Sequence, residues 1–160
     1  TFLAADLRHE GAKVVMTRHS NGGVGPCIDR RAAIINAAHS DVAIDIHADG
    51  GPPSGRGFAI LEPVKDSINH AIVRPSARFG RTVRQEVLAM TRMPVSTYDG
   101  TNGITTRSDL AGLNLARQPK VLVECGNMRN AHDARMLTST IFQQRIAAAF
   151  AAAIVDYLSR

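Results

Sequence analysis

The sequence predicts a single α/β domain with a central, mostly parallel sheet flanked by helices on both faces. Three observations predict it. Short β-branched apolar runs alternate with longer amphipathic stretches, the pattern of strand-helix-strand units. The 160 residues amount to about one domain, and residues 1–160 are read as one unit. Hydrophobic residues make up 44% and charged residues 21%, enough apolar material for a core without disulfide staples.

The elements follow in order. Leu3 and Leu7 lie one turn apart, among Asp6, Arg8, His9 and Glu10, and Gly11 supplies a stop. Thr1 to Glu10 therefore reads as the middle of a helix, and the chain is expected to lack upstream sequence. Lys13 to Thr17 is β-branched and apolar, a predicted strand, and Asn21 to Pro26 is a loop. Asp29 is placed to cap a helix running to about Ala38. Val42 to Ile46 predicts a strand ending at His47, and Gly57 to Leu61 another after a Gly/Pro break. Phe79, Val83, Val87 and Met90 predict a helix over Ser76 to Thr91. Pro94 to Gly103 is irregular, and Ser108 to Ala116 predicts a short helix. Val121 to Val123 predicts a strand ending at Glu124. The last helix spans about Ser139 to Leu158, with Phe142, Ile146, Ala149, Ala153 and Tyr157 facing inward.

Charge narrows the function classes. The formal charge of +5 suits anionic partners. Yet Lys and Arg are spread along the chain, with no Trp and two Tyr to stack bases, so a nucleic-acid binder is the weaker reading. No run of 18 apolar residues exists, so no membrane span is expected. The sequence contains no GxSxG elbow, Walker loop or GxGxxG after a strand, and no CxxC for a thiolate zinc site. Cys27 and Cys125 are free to pair or not as far as sequence goes.

In open α/β sheets ligands bind at the carboxyl ends of strands. Two predicted strands end in residues with chemistry: His47 and Glu124. His47 is either a ligand for a cation such as zinc or a hydrogen-bonded imidazole at the sheet edge. Glu124 is either a general base whose pKa is raised by burial or half of a structural ion pair. Arg31, Asn36, Arg107 and Asn130 each have an ordinary structural reading as well: solvated cations or amides bonded to local backbone.

Taken together, three segments resemble the type 3 family of zinc-dependent N-acetylmuramoyl-L-alanine amidases. The first is Ile28-Asp29-Arg30-Arg31-Ala32-Ala33-Ile34-Ile35-Asn36, followed by Ser40-Asp41. The second is Asp45-Ile46-His47-Ala48-Asp49, and the third, after Arg107, is Leu122-Val123-Glu124-Cys125-Gly126-Asn127-Met128-Arg129-Asn130. The resemblance implies hydrolysis of the amide between N-acetylmuramic acid and L-alanine in peptidoglycan. It implies one zinc ion, with His47 as a ligand and Glu124 as the catalytic carboxylate. It puts Arg107, Asp49 and Asn127 at the substrate and Arg31, Asn36 and Asn130 in structural positions near the site.

Asp49 and Asn127 depart from the family's usual Asn and Phe. The family's other two ligands, a His after the first strand and a Glu near the start of the first long helix, have no counterpart here. Both are expected upstream, along with a possible partner for Cys27, while Cys125 is expected to be a core thiol. His9, His19, His39, His70 and His132 match no family ligand. The resemblance also implies a secreted, periplasmic or wall-associated monomer acting on peptidoglycan or muramyl peptides. The missing ligands leave a second reading, a non-catalytic wall-binding module or degenerate amidase.

Overall fold

In the computed structural model, residues 2–20, 22–66 and 69–160 are described. The elements are α1 (Phe2–His9), α2 (Ile28–Ala37), β1 (Ala43–Asp49), β2 (Ala59–Pro63), α3 (His70–Met90), β3 (Ile104–Arg107), α4 (Ala111–Asn114), β4 (Lys120–Asn127), α5 (Ala131–Leu137) and α6 (Thr140–Leu158). The sheet order is β1-β4-β2-β3. β1 and β2 run parallel to β4 and β3 respectively, and β2 is antiparallel to β4, so two of the three pairings are parallel.

Alternation along β4 divides the domain. Val121, Val123 and Cys125 face a large core shared with Phe58 and Ile60 of the β2 segment, Phe79 and Val83 of α3, and Phe142, Ile146 and Phe150 of α6. Leu3 and Leu7 of α1 close that core against α6. The Phe79 and Tyr157 rings meet at 5.1 Å between centroids, tilted by 54°, a favourable aromatic arrangement. On the other face Ala59, Leu61, Leu113 and Leu122 make a small cluster under α4. This thinner cover leaves the carboxyl ends of β1 and β4 open on that face.

Several expectations are corrected. Lys13–Thr17 is not a strand: it has the propensity, but a strand needs a laddered neighbour, and none of the four described strands pairs with it. Val14 instead packs on the main core. Asp29 lies inside the first turn of α2, where its charge complements the helix dipole, and Cys27 occupies the cap without a side-chain bond. Helix α3 begins at His70, six residues earlier than expected, and carries Pro75 in its interior. Proline costs one intrahelical hydrogen bond, but Ile72 buries against Ile35 and Ala116 and anchors the early turns. Two elements were not foreseen: β3, four residues long at the sheet edge, and α5.

Helix α6 is long and apolar enough to cross a membrane by length and composition alone, with a mean hydropathy of 1.2. Its position supplies the other explanation. Phe142, Ile146, Ala149, Phe150, Ala153 and Tyr157 are buried against α1, α3 and the sheet, so its apolarity serves the core. Both thiols are free, Cys27 exposed and Cys125 buried; burial, with the Glu124 charge adding, pushes the Cys125 thiol up to about 12.

Candidate active site

Parallel pairing puts registered residues on one face of the sheet. Asp45 is registered with Leu122, and His47 with Glu124. One extra residue on β4 before Asn127 shifts the register, so Asp49 next meets Asn127. The imidazole of His47 and the carboxyl of Glu124 thus stand side by side at the open end of the sheet. His47 is exposed, whereas Glu124 is partly buried.

Below this pair the two strands are tied electrostatically. Lys120 of β4, only 1% exposed, donates from Nζ to Asp45 Oδ2 of β1 at 2.8 Å and to the Gly112 carbonyl of α4 at 2.7 Å. A buried ammonium is tolerated because both partners meet it. The tie fixes β1, β4 and α4 together just beneath His47 and Glu124.

Glu124 is the electrostatic focus. Its Oε2 is buried with no hydrogen-bond partner among the described residues. Burial pushes the carboxyl up to about 7, with the Asp49 and Asp99 charges adding and Arg107 opposing. Such a carboxyl exchanges protons near neutrality, the property a general base requires.

Asp49, at the end of β1, is held rather than free. Its Oδ1 accepts from the Gly50 N–H at 2.7 Å and its Oδ2 from the Tyr98 hydroxyl at 2.8 Å. Tyr98 is a site residue that sequence reading missed. Burial first, then the hydrogen bond to Asp49 and the Asp49 and Glu124 charges, raise its pKa. Its ring lies between Gly51 and Gly55, where an added Cβ would stand 2.3 Å and 2.5 Å from ring atoms. Gly51 and Gly55 are therefore a seat for this ring, and that requirement is invisible until the loop meets residue 98.

Arg107, at the end of β3, is exposed at 39% and forks onto Asp109 at 2.8 and 2.6 Å. Its backbone carbonyl is fixed by Asn114 Nδ2 at 2.8 Å. Asn127 departs from the expectation of a substrate contact. It is fully buried, and its amide donates to the Pro52 and Gly55 carbonyls at 2.7 and 2.8 Å and accepts from the Arg129 N–H. It anchors the loop that seats Tyr98. Asp133 of α5, also fully buried, supports the same loop: it accepts from Arg56, from the Gly57 N–H at 2.6 Å and from the Asn127 N–H. Gly57 itself has φ +101, and a side chain there would strike the Val95 carbonyl.

The remaining expected positions make backbone contacts. Arg31 Nε donates to the Pro26 carbonyl at 2.7 Å. Asn36 donates to the Leu115 carbonyl and accepts from the Arg117 N–H, pinning α2 to the segment after α4. Asn130 caps α5 by accepting from the His132 and Asp133 N–H groups and donates to the Pro53 carbonyl at 2.9 Å. Among the described residues, no three His, Cys, Asp or Glu side chains are grouped to hold a metal ion; His47 is the imidazole at these strand ends, a ligand type that zinc favours.

A family model described as N-acetylmuramoyl-L-alanine amidase matches residues 1–156. The N-acetylmuramoyl-L-alanine amidase Rv3717 of Mycobacterium tuberculosis is 38% identical over 157 residues, covering 98% of this chain and 64% of that protein. The chain thus spans less than two thirds of the length of this curated relative. The apo crystal structure of the N-acetylmuramyl-L-alanine amidase Ami1 from Mycobacterium abscessus superposes with a TM-score of 0.92 at 43% identity, covering 98% of this chain and 73% of that one. Ami1 from Mycobacterium smegmatis gives 0.92 at 40% identity, with 99% and 72% covered.

Proposed function

Because the chain belongs to the N-acetylmuramoyl-L-alanine amidase family, we propose that it hydrolyses the amide between N-acetylmuramic acid and L-alanine in peptidoglycan. The observation that carries this reading is Glu124: a partly buried carboxyl, held near 7, with an orphaned oxygen, registered beside His47. Glu124 takes a proton from the water whose oxygen attacks the lactyl carbonyl carbon. As the carbon–nitrogen bond breaks, Glu124 returns that proton to the departing alanine nitrogen. The products are a lactyl carboxylate on the glycan and a stem peptide with a free amine. Arg107 and Asp49 flank the place where the substrate lies, one cationic and one anionic, while Asn127, Tyr98 and Asp133 hold the loop that shapes it.

The donor set fits zinc in part. His47 is an exposed imidazole beside a carboxyl with an unsatisfied oxygen, the chemistry of a metal-site wall. When bound, zinc supplies a Lewis acid that polarises a carbonyl and makes water more acidic. The protein is placed in the cell-wall compartment, where its polymeric substrate lies, and works as a monomer.

The test is Glu124→Gln, assayed by release of free alanine amino termini from purified peptidoglycan. The substitution keeps the shape of the side chain and removes its basicity. Release is expected to fall at least ~100-fold, with the fold unchanged by circular dichroism. A Glu124→Gln variant that still releases peptide at the parent rate overturns the assignment. The absence of a three-ligand group among the described residues favours one other reading, a wall-binding module without catalysis. Zinc-replete protein that sediments with peptidoglycan yet frees no amine would establish that reading instead.

A further inference from the structure

A second charged feature lies outside the Glu124 cluster and has no part in the reaction above. Where the end of α3, the outer side of α5 and the start of α6 converge, a groove of about 360 Å³ is bounded by Arg92, His132, Arg135 and Arg145. All four are exposed, and no carboxylate lines the groove. Among the described residues none of the four forms an ion pair. Three guanidiniums gathered without an acid repel one another, and an anionic occupant relieves that repulsion. The groove is not purely ionic. Phe142 lines it, and Ile141 stands at its edge 63% exposed.

We infer that this groove is a second binding site, separate from the Glu124 cluster, for the carboxylate-bearing stem peptides of peptidoglycan. The inference rests on the reading of the substrate above. Planar guanidiniums accept planar carboxylates in a two-pronged geometry, and a stem peptide places alanine methyl groups close to its carboxylates. That combination uses both the cations and Ile141. A phosphodiester polymer would engage the cations and leave the apolar edge idle. Position supports the same occupant. The inward side of α5 is fixed to the active-site loop through Asp133, while its outward side presents His132 and Arg135 to the groove. The groove and the active-site loop thus share α5 as a common wall.

The experiment is an NMR titration of the protein with three probes: a sugar-free stem tetrapeptide, its carboxyl-amidated form, and inorganic phosphate. The tetrapeptide is expected to shift the Ile141 methyl and His132 ring signals saturably. Arg135→Ala with Arg145→Ala, both exposed and safe for folding, is expected to weaken that binding about tenfold, the loss expected for a charge-assisted contact. Ile141→Ser should weaken it without altering charge, and amidation should abolish it. The inference is overturned if the shifts fall only around Tyr98 and Asp49, if the double variant binds as the parent does, or if phosphate saturates the groove as tightly as the tetrapeptide. A protein that frees no amine from peptidoglycan but still binds the tetrapeptide at Ile141 would refute the amidase reading and uphold the groove.

Discussion

Replacing Lys120 by methionine tests the tie that sets His47 beside Glu124. The ammonium is 1% exposed and satisfies two acceptors, Asp45 Oδ2 and the Gly112 carbonyl. Methionine fills similar space but leaves a carboxylate and a carbonyl unmet. Removing one member of a buried pair costs roughly 3–5 kcal/mol. Asp45 is 29% exposed, so water recovers part of its solvation and the lower end, about 3 kcal/mol, applies. In a chain of this size that lowers the melting temperature by about 6–12 °C, and at an m-value of about 2 kcal/mol/M it moves the urea midpoint down by about 1.5 M. The double variant Lys120→Met with Asp45→Leu removes both charges together and should recover most of the loss, showing as a coupling energy in the cycle. The assay is urea unfolding of all four proteins at pH 7. A single variant whose urea midpoint lies within about 0.3 M of the parent's, or a double variant no better than the single, would refute the reasoning.

Other outcomes follow from the same geometry. In chelator-treated protein the folded Glu124 carboxyl holds its proton up to about 7, whereas in the unfolded chain it releases it near 4.5. The folded state therefore binds more protons between those values, and its stability falls as pH climbs through that window. Glu124→Gln should flatten this part of the stability profile; an unchanged slope in urea titrations would assign it elsewhere. Gly51→Ala forces a methyl to within 2.3 Å of the Tyr98 ring, so a loss of about 1–3 kcal/mol is expected from overpacking. Thermal unfolding measures it, and a second substitution, Tyr98→Ala, should relieve it; no relief would mean the clash lies elsewhere. Asn127→Ala removes two donated bonds and one accepted bond from a fully buried amide. About 2–4 kcal/mol should be lost, with faster proteolysis in the 50–57 loop as the local readout. A variant as stable as the parent would show that the loop is held by other means.

Much of the fold was written in local pattern. The apolar run Val121 to Val123, the stripe of α6 and the two strand ends at His47 and Glu124 are properties of sequence, because side-chain direction repeats every two residues in a strand and every 3.6 in a helix. These periodicities were enough to expect an α/β sheet and to bring attention to His47 and Glu124. They failed where stability comes from a distant partner. Lys13–Thr17 has strand propensity, yet none of the described strands pairs with it. Pro75 looks like a helix boundary, yet the burial of Ile72 carries α3 past it.

The chain by itself thus determined the layered α/β class, the two strand ends that carry chemistry and the family they resemble. Only the tertiary structure decided that His47 and Glu124 are registered neighbours, because a parallel ladder joins positions 77 residues apart. It also decided the surroundings that set the Glu124 proton affinity: burial, Asp49 and Asp99 on one side and Arg107 on the other. Tyr98, Lys120 and Asp133 carry no motif, and their roles arise from contacts across 49, 75 and 76 residues of chain. Electrostatic energy depends on distance and on the solvent that burial removes, and neither quantity exists until the chain has folded.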